Sequence, residues 1–177
     1  YFGNIGGGEK LVLTLAKAFN ANVITTHIDQ NSLDKLGISD IKFNSLGKTI
    51  KFPILKQISA SIKFATCDFS HDYDYFIFSG NWTHYAAKKH HPNLWYCHTP
   101  VRPFYDQYHN MLLSLPFPKK EIARIWVYLH KRFDRYFVKY VDRIVTNSKN
   151  VQNRIKRYYG KNSLVINPPV DTSKYSY

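Results

Sequence analysis

A histidine followed four residues later by an arginine is the arrangement in this sequence best suited to chemistry. It lies in the run Trp95-Tyr96-Cys97-His98-Thr99-Pro100-Val101-Arg102-Pro103-Phe104-Tyr105-Asp106. An imidazole placed where a strand ends can hydrogen-bond a substrate hydroxyl or act as a base, and a guanidinium in a proline-stiffened loop can hold a phosphate. A lone histidine is more often structural, but His98 stands where ligands bind in an open parallel sheet, beyond the carboxyl end of a strand. A second candidate is Gly6-Gly7-Gly8 ahead of Glu9, where backbone N–H groups and the positive end of a helix dipole suit a phosphate or carboxylate. Its bland alternative is a flexible glycine turn. A third is Thr146-Asn147-Ser148, where Asn147 or Ser148 caps a helix; capping and ligand contact are compatible there.

Other patterns fail. A GxGxxG fingerprint can be aligned on Gly6 and Gly8, but its third position is Leu11; Asp29, about 20 residues on, leaves the nicotinamide-type reading weakened rather than gone. There is no HExxH, GxSxG or Walker loop, and His84, His90 and His91 have no ligand set near them in sequence, so no metal site is expected.

The elements that must position these residues alternate. Leu11, Val12, Leu15, Ala16 and Phe19 recur at helical spacing from Glu9, and Asn20 to Asn22 ends the run. Asn22–His27 and Tyr75–Phe78 read as buried strands, as do Leu94–Cys97, Asp142–Thr146 and Leu164–Ile166. Weaker signals suggest a short helix around Leu33 to Leu36 and a strand around Ile41 to Phe43. Helices are expected from Pro53, over Trp82–Lys89, over Lys119–Tyr140 and after Ser148 to Gly160. Between His98 and Pro118 an ordered irregular loop is expected, with at most a short helix near Phe104 to His109. Strands alternating with helices predict an α/β fold with a Rossmann-like, doubly wound parallel sheet.

Composition bounds the rest. The 177 residues suit one compact domain, with 44% hydrophobic and 21% charged residues, and no run reaches the length needed to span a bilayer. The chain therefore reads as soluble or peripheral. Cys67 and Cys97 show no zinc or disulfide spacing and read as buried free thiols in a reducing compartment. No secretory signal opens the sequence, and a cytoplasmic location follows, with peripheral attachment to the cytoplasmic membrane face as its extension. The only methionine is Met111, so the sequence reads as beginning inside a longer product or after processing.

The net charge is +13, and residues 119–161 hold 13 lysines and arginines against three acids, a local +10. Such a field favours anionic partners of any kind. On the helix Lys119–Tyr140, Ile122, Ile125, Trp126, Leu129, Phe133 and Phe137 form a stripe among Lys119, Lys120, Arg124, Lys131, Arg132 and Arg135. It reads first as core packing beneath a solvated basic face, and second as a surface meeting an anionic membrane.

Several segments, in order along the chain, carry a family resemblance. Gly6-Gly7-Gly8-Glu9-Lys10-Leu11 with Leu15-Ala16 resembles the segment that opens the first helix of family-4 GT-B glycosyltransferases. Val141–Ser148 resembles that family's strand leading into a serine-capped helix, and Asn167–Tyr175 its linker to a second domain. Tyr96-Cys97-His98-Thr99-Pro100-Val101-Arg102 is similar to a segment of mannosyltransferases of surface-polysaccharide assembly.

The resemblance implies an N-terminal, acceptor-side half of a GT-B fold over residues 1–167. Residues 168–177 would begin a linker to a C-terminal donor-binding domain supplied in cis or by a partner chain. It implies retaining transfer of a hexose, mannose by the last motif, from a GDP- or UDP-sugar to a glycan or polyprenyl-linked acceptor, with no cofactor and no obligatory metal. Gly7 and Gly8 would approach the donor diphosphate, and His98 would contact the donor sugar as the catalytic candidate. Arg102 would face the acceptor. Gly6, Glu9, Thr99, Asn147 and Ser148 complete the expected substrate-binding set.

The family strand before the glycine segment and the C-terminal domain are not in this sequence, so the fragment alone is expected to be inactive. Three other readings remain: a basic nucleic-acid-binding module, disfavoured because the aromatics fall on strand and helix stripes; a nicotinamide-dependent oxidoreductase domain; and a separate acceptor subunit.

Overall fold

The computed structural model describes residues 6–28, 40–50 and 52–169. Asp29, the short helix around Leu33 to Leu36, the Tyr1–Ile5 part of the glycine segment and the linker beyond Pro169 lie outside the described residues. The chain divides into two compact units, one of residues 1–59 with 166–177 and one of residues 60–165. The helix α2, Pro53–Thr66, crosses the boundary between them.

In the first unit, α1 spans Gly7–Phe19 and is followed by β1, Val23–Thr25, and β2, Phe43–Ser45, which pair in parallel with Val23 opposite Phe43. Leu13, Ala16, Val23 and Ile41 form its core, with Val12, Ile28 and Phe43 packed against them. The helix stops at Asn20, whose left-handed backbone (φ 49°) turns the chain so that the next N–H, of Ala21, reaches the Ala16 carbonyl at 2.9 Å. It begins earlier than its sequence suggests: Gly7 and Gly8 occupy the first turn instead of a loop. First-turn N–H groups need no partner within the helix, so glycine costs little there.

The second unit holds a four-stranded, all-parallel sheet in the order β3 (Phe76–Ser79), β4 (Asn93–Cys97), β5 (Arg143–Thr146) and β6 (Leu164–Val165). Parallel neighbours need crossovers. The first contains a 3₁₀ helix over Thr83–Lys88, where an α-helix from Trp82 was expected; it starts from Trp82 in the left-handed region (φ 70°). The second contains a 3₁₀ turn Arg102–Phe104, α3 (Tyr108–Leu113) and α4 (Lys119–Val138), and the third α5 (Lys149–Tyr159). The chain is thus α/β with parallel sheets and helices, as the alternation of strands and helices predicted.

The amino ends of β4 and β5 are locked by Asn93, only 1% exposed. Its side-chain nitrogen donates to the carbonyls of His90 (2.8 Å) and Tyr140 (3.1 Å), and its oxygen accepts from the Asp142 N–H (3.0 Å). Asp142 in return accepts from the Asn93 N–H and lies against His91 Nδ1, both at 2.9 Å. Partial burial works against ionisation of Asp142, but the hydrogen bonds from His91 and Asn93 and the charges of His91 and Lys161 hold its carboxyl below the usual range. Asn93→Leu keeps the volume and strands these groups, so urea unfolding should show a loss of about 2–4 kcal/mol. A loss under about 0.5 kcal/mol, the size of an ordinary surface substitution, would show that the lock contributes little.

Helix α4 overturns the first reading of its stripe. The face turned inward carries Ala123, Val127, His130, Asp134 and Val138, whereas Ile122, Ile125, Leu129 and Phe133 are exposed. Trp126 and Phe137 are half-buried, Trp126 against Phe104 and Phe137 stacked on Tyr85 at 4.5 Å. Small residues line the seam because the 3₁₀ helix packs beside it, with Tyr85 and His84 filling the space larger side chains would need.

Candidate functional site

The register of the second unit's sheet aligns Ser79 with Tyr96 and Cys97 with Thr146, so Ser79, His98 and Asn147 all fall at or just past the carboxyl edge. Here His98 Nε2 lies 3.0 Å from Ser79 Oγ, and the His98 ring packs at 5.3 Å from Tyr96. The serine fixes the imidazole's rotation; which of the two groups donates follows from the ring tautomer. Beneath them Trp95 donates its indole N–H to the Gly80 carbonyl (3.3 Å). Cys97 is fully buried, and burial pushes its thiol well above the ordinary range, so it acts as a packing residue. Cys67, only half-buried, is also a free thiol.

Thr99 and Arg102 are held by the same few groups. Thr99 Oγ1 donates to the Pro100 carbonyl (3.2 Å) and accepts from Arg154 Nη1 of α5 (3.3 Å). Asp106 accepts from Arg102 Nε (3.1 Å) and Nη2 (3.0 Å), with Arg154 Nη2 at 3.5 Å from the same oxygen. Gln107, in the amide orientation that suits both groups, accepts from Arg102 at 3.1 Å. Burial opposes ionisation of Asp106, but the Arg102 hydrogen bond and charge, helped by Arg154, keep its carboxyl below the usual range. The Arg102 side chain remains 40% exposed, so its guanidinium is oriented while still open to solvent.

The loop that carries Arg102 is pinned from below by a buried carboxyl group. Asp134 of α4, fully buried, accepts from Tyr105 Oη and Tyr159 Oη, each at 2.8 Å, and His84 Nε2 lies 3.1 Å from its other oxygen. Burial and then the Asp134 charge push both phenols above their usual range, which keeps them protonated as donors. Tyr105 also stacks on Tyr158 at 4.4 Å, and His84 on Trp95 at 4.2 Å. Position 105 is thereby tied to α4 and α5 at once.

At the β5–α5 junction the capping reading holds for Ser148: its Oγ accepts from the Val151 N–H (3.3 Å) and donates to Asn147 Oδ1 (3.2 Å). Gly160, left-handed at φ 68°, closes the other end of α5. In the first unit, Glu9 Oε2 accepts from the Gly6 N–H (3.0 Å), half of a capping box, so that N–H is engaged by the protein itself. A Cβ on Gly7 would meet nothing within 4 Å.

His98, Thr99, Arg102, Asn147 and Ser148 therefore share one edge of one sheet, while Gly6, Gly7, Gly8 and Glu9 belong to the other unit and form a helix start there. Sequence reasoning missed Ser79, read only as a turn, although the rule that singled out His98 applies equally to the end of β3. It also passed over Arg154 and Asp134, which are paired with Thr99 and Tyr105, 55 and 29 positions away. Among the described residues no group of three or more His, Cys, Asp or Glu is placed to hold a metal ion. His90 is held by the fold itself, with Nδ1 2.7 Å from the Ala86 carbonyl and Nε2 accepting from the Phe69 N–H at 2.9 Å.

A parallel α/β domain with a histidine, a hydroxyl and an oriented arginine at its strands' carboxyl ends is of the Rossmann-like, ligand-binding class. The chain belongs to Glycosyltransferase Family 4, whose model matches residues 5–174. No curated protein and no solved structure matches it.

Proposed function

We propose that this domain is the acceptor-side half of a retaining, metal-independent glycosyltransferase. It would work with a donor-binding domain that follows it in cis or is supplied by a partner chain. The transferred sugar is a hexose, with mannose favoured by the likeness of Tyr96–Arg102 to mannosyltransferases. The donor is a GDP- or UDP-sugar, and the acceptor a glycan or a polyprenyl-linked saccharide.

The observation that carries the reading is His98, set at the carboxyl end of β4 with its ring held by Ser79 at 3.0 Å. An imidazole fixed in this way can accept or donate a hydrogen bond to a sugar hydroxyl without losing rotamer entropy on binding. Arg102, already oriented by Asp106, supplies a cation for a phosphate-bearing acceptor, and Thr99 and Asn147 lie on the same edge. The test is transfer of labelled sugar from a panel of nucleotide sugars to a lipid-extract acceptor, using the product of the whole gene, with and without chelator. Transfer from one donor, insensitive to chelator, is expected. No transfer from any donor, together with salt-sensitive binding of arbitrary oligonucleotides, would sink the reading in favour of a basic nucleic-acid module.

The glycines supply a separate check. Gly7→Ala has room for its Cβ and lies in the first turn of α1, so the thermal midpoint should hold or rise slightly. Transfer should nevertheless fall about tenfold or more, because a methyl group there would separate the backbone from a donor diphosphate. A variant as active as the parent would remove Gly7 from the ligand-binding set.

A further inference from the structure

We propose that the outer face of α4, with the segment leading into it, is a docking surface for an anionic lipid bilayer. Ile122, Ile125, Leu129 and Phe133 follow one another at helical spacing on the face turned away from the buried seam, and Ile125 is 63% and Phe133 53% exposed. Leu113 and Phe117, in the segment leading into the helix, are 79% and 84% exposed. Large aliphatic and aromatic side chains in water over about three helical turns are costly, and their clustering marks an interaction surface.

Charge selects the occupant. Lys119, Lys120, Arg124, Lys131, Arg132 and Arg135 share the helix with only two acids. Asp134 points into the core, and Glu121 is spent on Arg124, whose Nη1 donates to both of its oxygens at 3.0 Å. Helical spacing sets Lys119 beside Ile122 and Arg132 beside Leu129, one at each flank of the ridge, while Lys131 and Arg135 lie on another side over the Tyr105 ring. A ridge flanked by cations suits a bilayer interface, where the ridge enters the acyl boundary while the cations stay among anionic headgroups. An apolar protein groove would cover the ridge but strip water from the Lys119 and Arg132 side chains at its flanks. No helix among the described residues is long and apolar enough to cross a membrane.

Orientation adds a consequence. A helix joining neighbouring parallel strands runs back along them, so the Lys119 end of α4 lies toward the carboxyl edge that carries His98. A bilayer under Phe117 and Ile122 would be on the same side of this unit as that edge. Docking itself does not depend on the sugar-transfer reading, because vesicle binding is read without any transfer.

The experiment is co-sedimentation of the whole gene product with vesicles of phosphatidylcholine alone or with phosphatidylglycerol. Binding to the anionic vesicles only is expected. Ile125→Glu and Phe133→Glu should each weaken it about tenfold or more with an unchanged circular-dichroism melt, since both side chains are exposed. Lys119→Gln and Arg132→Gln should each weaken it about fivefold. Equal binding to neutral vesicles, no binding, or ridge variants that bind like the parent would overturn the proposal. So would a parent dimer that ignores vesicles and that Ile125→Glu dissociates, which would make the face a contact between copies of the chain.

Discussion

His98→Ala is expected to lower kcat/KM for sugar transfer by about 10²–10⁴-fold, the range seen when a positioned hydrogen-bonding or proton-transferring side chain is lost. The fold should tolerate it, because His98 stands at the carboxyl edge of the sheet and is only half-buried. Ser79→Ala separates position from chemistry. It leaves the imidazole in place but removes the 3.0 Å contact that fixes it, so a smaller loss, about tenfold, is expected. The pair in combination should lose no more than His98→Ala alone, since the serine acts through the histidine. If His98→Ala kept transfer within about threefold of the parent, the residue would touch no reacting group and the site would have to be sought elsewhere.

The second large effect is on stability. Asp134→Ala should cost about 3–5 kcal/mol, because it leaves His84, Tyr105 and Tyr159 facing a cavity with no partner. Equilibrium unfolding in urea measures it. Asp134→Asn retains volume and an acceptor, so its loss should be smaller. A double-mutant cycle of Asp134→Ala with Tyr159→Phe should show clear coupling, and strictly additive losses would mean that the two groups do not support each other. Because Tyr105 joins Asp134 to the loop bearing Arg102, Asp134→Asn should also reduce transfer at temperatures where it remains folded. His98→Ala should leave unfolding nearly unchanged, which distinguishes the two residues.

Much of this was legible in the sequence. β-branched and aromatic runs marked the strands of the parallel sheet to within a residue or two. The serine cap and glycine stop of α5 were readable because capping depends on side-chain type and a single backbone angle, both local properties. The edge position of His98 was readable as well, since a strand's carboxyl end is a point in the sequence. The family resemblance at Gly6–Leu11 and Val141–Ser148 agrees with the match over residues 5–174.

The tertiary structure decided what local signals leave open. Helical periodicity shows that α4 has an apolar face, but the helix carries two: large Ile122, Ile125, Leu129 and Phe133, and the smaller seam of Ala123, Val127 and Val138. Hydrophobicity alone favours burying the larger, whereas close approach of the 3₁₀ helix Thr83–Lys88 requires the smaller. Asp134 follows for the same reason. A charged residue on that face reads as solvated until the Tyr105 and Tyr159 hydroxyls arrive from distant segments to hydrogen-bond it, with His84 beside it. Ser79 met His98 only through the pairing of β3 with β4, whose register places the two strand ends side by side. The sequence determined the residue types and the ends of elements, which depend on nearest neighbours. Which face is buried, and which polar groups meet, depended on contacts between segments far apart in the chain, and those exist only once the sheet has formed.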